Sequence, residues 1–266
     1  MAARPLEAVA VWSVRRGDRC DLRFIPGGAD VGRDQRVSPT GVVGRDSFVF
    51  LVRPPGVYRV DSDTSLLIDV LREGGYAAGR RVLDLGTGTG ALALAAAQCG
   101  AASVTAVDLS LRSVAAAWLT SRLHGVSCRV RRGDLCGPVA GECFDLILAN
   151  PPYVPAASNV LPRHRMGRCW DAGLDGRALL DRICAEAPAV LTPEGQILLV
   201  HSAVCDEDIT RKRFADAGLQ AEVLARCTVA FGPVMRARAA MLEARGLVEP
   251  GQCEEQLVVI GARRVP

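Results

Sequence analysis

Residues 81–97 read Arg-Val-Leu-Asp-Leu-Gly-Thr-Gly-Thr-Gly-Ala-Leu-Ala-Leu-Ala-Ala-Ala, and this stretch decides the fold class. Its first part, Arg81 to Leu85, has the length and apolar character of a buried strand, and the alanine-rich run from Ala91 forms helix. Between them the glycines let the backbone turn sharply and approach a ligand, while the helix start behind them presents free N–H groups. The spacing over Gly86, Gly88 and Gly90 is G-x-G-x-G, which differs from the dinucleotide pattern G-x-G-x-x-G. Asp84, Gly86, Thr87, Gly88 and Gly90 are the candidate ligand contacts of this turn.

Working outward, the apolar run Val104 to Val107 ends at Asp108, where a ribose-binding carboxylate is expected relative to the glycine turn. The β-like run Cys128 to Arg132 is followed by Gly133 and Asp134. A carboxylate there reads either as a partner for an adenine amino group or as a turn residue. A further strand-like run, Leu146 to Ala149, delivers Asn150, Pro151, Pro152 and Tyr153 to the edge of the expected sheet. The proline pair stops the strand, and Pro151 restricts Asn150 to extended backbone. The string therefore offers the Asn150 side-chain oxygen and the Pro151 carbonyl as acceptors, and contains no nucleophile. Such acceptors suit a planar NH2 group that donates both hydrogens, with Tyr153 flat against it.

From Asp61 onward helix and strand signals alternate. Helices are predicted over 62–73, 90–99, 111–124, 175–187 and 206–217, and strands over 81–85, 103–108, 127–132, 144–149, 196–201, 222–230 and 256–262. This alternation predicts a doubly wound α/β fold, a parallel sheet with helices on both faces. Val234 to Gly246 reads as an amphipathic helix carrying Arg236, Arg238 and Arg245 on one side and Met235, Ala239 and Leu242 on another. The arginines are read as a solvated face or as a contact surface for an acidic partner.

In this order and spacing, the glycine loop, Asp108, Gly133-Asp134 and Asn150 to Tyr153 resemble a class I S-adenosylmethionine-dependent methyltransferase of the amino-methylating group. More narrowly, residues 54–264 resemble the HemK family of protein glutamine N5-methyltransferases, in particular its short branch, whose eukaryotic members modify a translation release factor. Pro55, Gly56, Val57 and Tyr58, followed by Asp63, Thr64, Leu66 and Leu67, are similar to that branch's opening motif. Trp170, Gly173 and Gly176 are similar to its post-catalytic loop. The chain departs from the family between Tyr58 and Asp63, where Arg59, Val60, Asp61 and Ser62 replace a segment with a proline and an acidic residue.

The resemblance implies a Rossmann-like seven-stranded sheet with its last strand antiparallel. It implies S-adenosylmethionine as cofactor, held by Asp84, Gly86, Thr87, Gly88, Gly90, Asp108, Leu109, Asp134, Leu135, Asn150 and Thr64. Asn150, Pro151, Pro152 and Tyr153 would be catalytic, with Tyr153, Trp170 and Tyr58 on the substrate side and no metal. The implied partners are a protein substrate, a release factor or other translation protein, and a small activator subunit.

At 266 residues with 49% hydrophobic content, the chain can bury a sizeable core. No apolar run approaches the roughly 20 residues that cross a bilayer, and the N-terminus lacks a signal pattern, so a cytoplasmic location is expected. The 10 cysteines form no C-x-x-C pair and are read as free thiols, mostly buried. Lys212 is the sole lysine, the arginines are dispersed, the formal charge is only +3 and aromatics are 5%. That combination gives no basic patch interleaved with stacking residues, which disfavours a nucleic-acid partner. His124, His164 and His201 are read as structural or surface residues, because the proton on a methylated nitrogen can leave after transfer.

Residues 1–53 are read as an N-terminal extension, loosely structured or partly disordered and dispensable, and residues 54–266 as the methyltransferase domain. Within the extension, Val9–Val14 and Phe48–Val52 are strand-like and flank a Gly-, Arg- and Asp-rich stretch, Arg15–Arg45. The leading functional reading is glutamine methylation in a protein. A nucleic-acid methyltransferase acting on adenine N6 or guanine N2 would offer the same planar donor to the same acceptors. A cofactor-binding scaffold without activity is the non-enzymatic reading.

Overall fold

Strands buried on both faces are what a parallel sheet requires. The computed structural model, which describes residues 10–12, 22–23, 49–160 and 166–264, builds such a sheet from the runs above. In chain order its elements are β1 Ala10–Trp12, β2 Leu22–Arg23, β3 Val49–Leu51, α1 Ser62–Glu73, β4 Arg81–Leu85, α2 Ala91–Gln98, β5 Ser103–Asp108 and α3 Leu111–Leu123. There follow β6 Cys128–Arg132, β7 Phe144–Ala149, α4 Ala178–Glu186, β8 Leu191–Ser202, α5 Glu207–Asp216, β9 Leu219–Ala230, α6 Pro233–Ala244 and β10 Glu254–Arg264. A 7-stranded sheet has the order β6-β5-β4-β7-β8-β10-β9, in which β10 runs antiparallel to β8 and β9 and the other neighbouring pairs are parallel. This is the expected Rossmann-like sheet with its last strand reversed.

Alternation along β7 shows how the core is divided. Leu146 and Leu148 face one cluster with Val82, Leu67, Leu71 and the alanines of α2, while Ile147 and Ala149 face another with Leu83, Leu85, Leu180 and Phe214. Ala91 to Ala96 are all buried, so α2 can lie close against the sheet and against α3. That approach depends on Gly90, whose φ is 85°. A Cβ there would stand 3.0 Å from Ala117 Cα. Asp61 caps α1, its carboxylate accepting from Ser62 N at 2.9 Å.

The chain runs from β4 outward to β5 and β6 and then returns to β7, so strand order reverses between β4 and β7. In open α/β sheets the crevice at the carboxyl ends of such strands holds the ligand. Leu85 pairs with Val107 on one side and Ala149 on the other, which brings Gly86, Asp108 and Asn150 to one edge on adjacent strands.

β1 is the described portion of the run Val9–Val14, and β2, paired antiparallel with it, that of Arg15–Arg45. The remainder of both, and His164, lie outside the described residues. β3 pairs with β1, and its Leu51 belongs to the core. Among the described residues no helix is long and apolar enough to cross a membrane, and no group of His, Cys, Asp and Glu is arranged to hold a metal ion.

His201 of β8 is fully buried, with Nδ1 2.8 Å from the Ser202 carbonyl oxygen and Nε2 unpartnered. Burial holds its pKa down at about 4, against an ordinary value of 6.5. A depressed folded pKa means that this neutral histidine contributes stability above pH 6.5 that is lost as pH falls through about 4. The shift corresponds to roughly 3 kcal/mol. His201→Leu is expected to flatten the acid limb of the stability curve over that window, read from urea melts at a series of pH values.

Candidate active site

A buried carboxylate anchors the glycine loop. Asp84 Oδ2 accepts from Thr87 Oγ1 at 2.6 Å and from Ala93 N at 3.0 Å, whereas Oδ1 is buried without a partner. Burial, opposed by those two bonds, pushes its pKa up to about 7. A desolvated acceptor with a vacant oxygen suits a cationic group brought by a ligand. Gly86 and Gly88 have φ values of 75° and 56°, and a Cβ on Gly86 would meet only open space, so the loop leaves a cradle beside this carboxylate. Asp108 borders the cradle, its Oδ2 accepting from Gly88 N at 3.0 Å and its Oδ1 from Ser110 N at 2.7 Å. Burial raises its pKa as well. Leu109 follows, 49% exposed, as an apolar surface beside it. This donor and acceptor set fits an adenosyl cofactor bearing an ammonium group and ribose hydroxyls.

Two of the expected contacts are placed differently from the rest. Asp134 is bidentate with Arg182 of α4, whose Nη1 and Nη2 lie 3.2 and 3.0 Å from its two oxygens. Leu135 adopts φ 41° and packs against the core.

On the neighbouring strand, Asn150 Nδ2 donates to Thr64 Oγ1 at 2.9 Å. Thr64 opens α1, where its N and Oγ1 both reach Asp63 Oδ1, at 2.5 and 3.2 Å. The other oxygen of Asp63 accepts from Tyr58 Oη at 2.8 Å and from Tyr153 Oη at 3.0 Å. The opening segment and the Asn-Pro-Pro-Tyr string, 90 residues apart at Asp63 and Tyr153, thus share one buried carboxylate. The departure at residues 59–62 leaves this intact, since Asp61 within it caps α1 and the Tyr58 to Asp63 bond still forms. Burial pushes both tyrosine hydroxyls well above their usual range, so they remain donors. Asp63 is itself raised by burial, and its hydrogen bonds oppose the shift.

Beyond Tyr153 the loop is held by pairing and by α6. Val154 N donates to Trp170 O at 2.8 Å, Ala172 N to Val154 O at 3.1 Å and Ala156 N to Gly173 O at 2.7 Å. Arg238 donates to Pro155 O at 2.8 Å and Arg245 to Ala156 O at 2.8 Å. Two of the three arginines read as solvated or partner-facing therefore turn inward onto the loop that follows Tyr153. The cause is that Pro155 and Ala156 carry carbonyls which the loop's own pairing leaves free for a donor. Met235 and Leu242 of the same helix form a small core with Val154, Phe231 and Val248, against which Trp170 packs, half-buried. Apart from Trp170 and Gly173, none of these partners was legible as a site residue. The amphipathic period marked a face of α6 without indicating what that face meets.

Cys205 Sγ donates to Tyr153 O at 2.9 Å, and Gly176, at φ 77°, lies against the same carbonyl. A Cβ on Gly176 would overlap Tyr153 O and stand 2.7 Å from Cys205 Sγ. Gly176→Ala therefore adds left-handed strain to a clash with the Tyr153 carbonyl, and a loss of about 3 kcal/mol is expected. Chemical denaturation of the two proteins measures it.

The residues expected at a cofactor loop and at an acceptor string thus meet along one sheet edge. Residues 49–163 match the model of the methyltransferase small domain family. The chain is 32% identical over 181 residues to a Methanocaldococcus jannaschii protein named "Putative protein N5-glutamine methyltransferase", covering 68% of this chain and 90% of that one. It is 41% identical over 124 residues to the release factor glutamine methyltransferase of Deinococcus radiodurans, covering 45% of this chain and 44% of that one. The match to the bacterial relatives is thus confined to part of their length. Among solved structures, the E. cuniculi Mtq2-Trm112 complex, responsible for methylation of the eRF1 termination factor, aligns with a TM-score of 0.56 at 20% identity, over 79% of this chain and 99% of that one. At that identity the likeness establishes the fold. Fold, loop and family match together define an S-adenosylmethionine-dependent methyltransferase. The chain belongs to the HemK-type protein N5-glutamine methyltransferase family.

Proposed function

We propose that this chain methylates the side-chain amide nitrogen of a glutamine in a protein, and that its substrate is a translation release factor, the class named for its relatives. The observation that carries this reading is the orientation of Asn150. Its Nδ2 is engaged by Thr64, so Oδ1 is the atom left to accept from a substrate NH2 group. Pro151 has no N–H, and its carbonyl serves as the second acceptor in this reading. One acceptor for each substrate hydrogen aligns a planar amide. An amide nitrogen is a weak nucleophile because its lone pair is shared with the carbonyl. Hydrogen bonds from both of its N–H groups favour the form with more charge on nitrogen and stabilise the positive charge that develops there.

Tyr153, held by Asp63, and the half-buried Trp170 and Tyr58 would wall the substrate side. When bound, S-adenosylmethionine supplies an electrophilic methyl group. Asp84, Gly86, Thr87, Gly88, Gly90, Asp108 and Leu109 would hold it, with Leu135, Thr64 and Asn150 alongside, and Asp134 would share its carboxylate with Arg182. A small activator subunit, like that in the E. cuniculi complex, belongs to the same proposal.

Incubation with S-adenosylmethionine and a release factor, with and without such a subunit, tests the reading by mass spectrometry of the digested product. One methyl on a glutamine side chain is expected. A methyl confined to another residue type contradicts it.

A further inference from the structure

Asn150 serves as an acceptor in only one of its two amide orientations, and nothing in the Asn-Pro-Pro-Tyr string fixes which. Rotating a side-chain amide by half a turn exchanges oxygen and nitrogen at little steric cost. The exchanged form would turn donors toward a substrate group that itself offers donors. We propose that Thr64, its hydroxyl hydrogen directed to Asp63, is the positioning residue that fixes Asn150 with Oδ1 toward the substrate. The inference rests on the functional reading above and locates part of the selection for an NH2 group outside the catalytic string.

The hydrogen-bond count on Asp63 decides the direction. This carboxylate, 4% exposed, receives four donors: Thr64 N and Oγ1 on Oδ1, Tyr58 Oη and Tyr153 Oη on Oδ2. Thr64 has a single hydroxyl hydrogen, and Asp63 Oδ1, 3.2 Å away, takes it. What Thr64 Oγ1 then presents to Asn150 is a lone pair, matched by an Nδ2 hydrogen at 2.9 Å. A rotated Asn150 would set Oδ1 against an oxygen with no hydrogen to give. Both partners are fixed by their backbones, Thr64 in the first turn of α1 and Asn150 directly after β7, so neither can retreat to relieve the mismatch.

Thr64→Val keeps the shape and removes the hydroxyl, whereas Thr64→Ser keeps the hydroxyl. With cofactor and substrate saturating, Val is expected to lower kcat by about 10- to 100-fold and Ser to restore most of it. Calorimetric cofactor affinity reads any part Thr64 has in holding the cofactor separately, since that part would move Kd and leave kcat at saturation unchanged. Wild-type kcat in the Val variant, or a Ser variant as slow as Val, would overturn the inference. Should the wild-type protein methylate no polypeptide, the functional reading fails on that result alone. The orientation is then judged by nuclear magnetic resonance of the Asn150 side-chain amide, whose signals are expected to move in Thr64→Val. Unmoved signals would overturn it. Thr64→Ala, which also removes the hydroxyl, is the second variant if Thr64→Val does not fold, and a wild-type kcat there is equally contrary.

Discussion

Asn150→Ala is expected to lower kcat by about 10²- to 10³-fold while leaving affinity for S-adenosylmethionine close to that of the intact protein. The substitution removes the side-chain acceptor at the end of β7 and leaves the Pro151 carbonyl, so a substrate amide keeps one anchor and loses its alignment. Thr64 Oγ1 loses its donor at the same time, a smaller cost because the Thr64 hydroxyl still reaches Asp63. The cradle formed by Asp84, Gly86, Gly88 and Asp108 does not depend on the Asn150 side chain for any of its hydrogen bonds. Single-turnover rates at saturating cofactor, paired with calorimetric Kd values, separate the two effects. An unchanged rate would remove Asn150 from the mechanism.

The second large effect belongs to Asp84. Asp84→Asn is expected to weaken cofactor binding by about 10²-fold, the cost of replacing one partner of a buried charged pair. It should do so with a characteristic pH dependence. Burial raises the folded pKa from the ordinary 3.8 to about 7, so the free protein favours the protonated acid. Its contribution to the stability of the free protein is fully present below pH 3.8 and is lost as pH rises through about 7. A cationic ligand acts in the opposite sense, favouring the ionised form. Binding near neutrality should therefore release a proton, and affinity should climb with pH until it levels above about 7. Titrations in buffers of different ionisation heat read the released proton directly, and the Asn variant should show neither release nor slope. Persistence of both in that variant would assign the cationic contact to another group.

Much of this architecture was written in local sequence. The predicted strands at 81–85, 103–108 and 144–149 coincide with β4, β5 and β7, because apolar runs buried on both faces leave an unambiguous pattern between glycine and proline stops. β8 is longer than its apolar run 196–201, extending back to Leu191 through Thr192, Pro193, Glu194 and Gly195, which carry no strand period. Its early part pairs Leu191 with Phe144, a partner that local pattern cannot reveal. The same holds for the insertion of β10 between β8 and β9; the family resemblance anticipated only that the last strand runs antiparallel.

At the site, the glycine loop and the Asn-Pro-Pro-Tyr string stood out because glycine freedom and proline restriction are properties of single residues. Asp63 did not, although Asp-Thr was noted as a motif. Its importance comes from joining Tyr58, Thr64 and Tyr153, a juxtaposition made because the first turn of α1 lies beside the residues that follow β7. Arg238 and Arg245 were hidden for the related reason that a helix's period reports a polar face and not the carbonyls awaiting it.

The central claim, that this sheet edge directs methyl transfer to a planar amide nitrogen of a polypeptide, is tested most directly by following label. Radiolabelled S-adenosylmethionine is incubated with the protein and a cell extract, and the product is divided between protease and nuclease digestion. The account predicts label released by protease alone and recovered as N5-methylglutamine, with the initial rate of labelling reduced about 10²- to 10³-fold in Asn150→Ala. Label released by nuclease would contradict it.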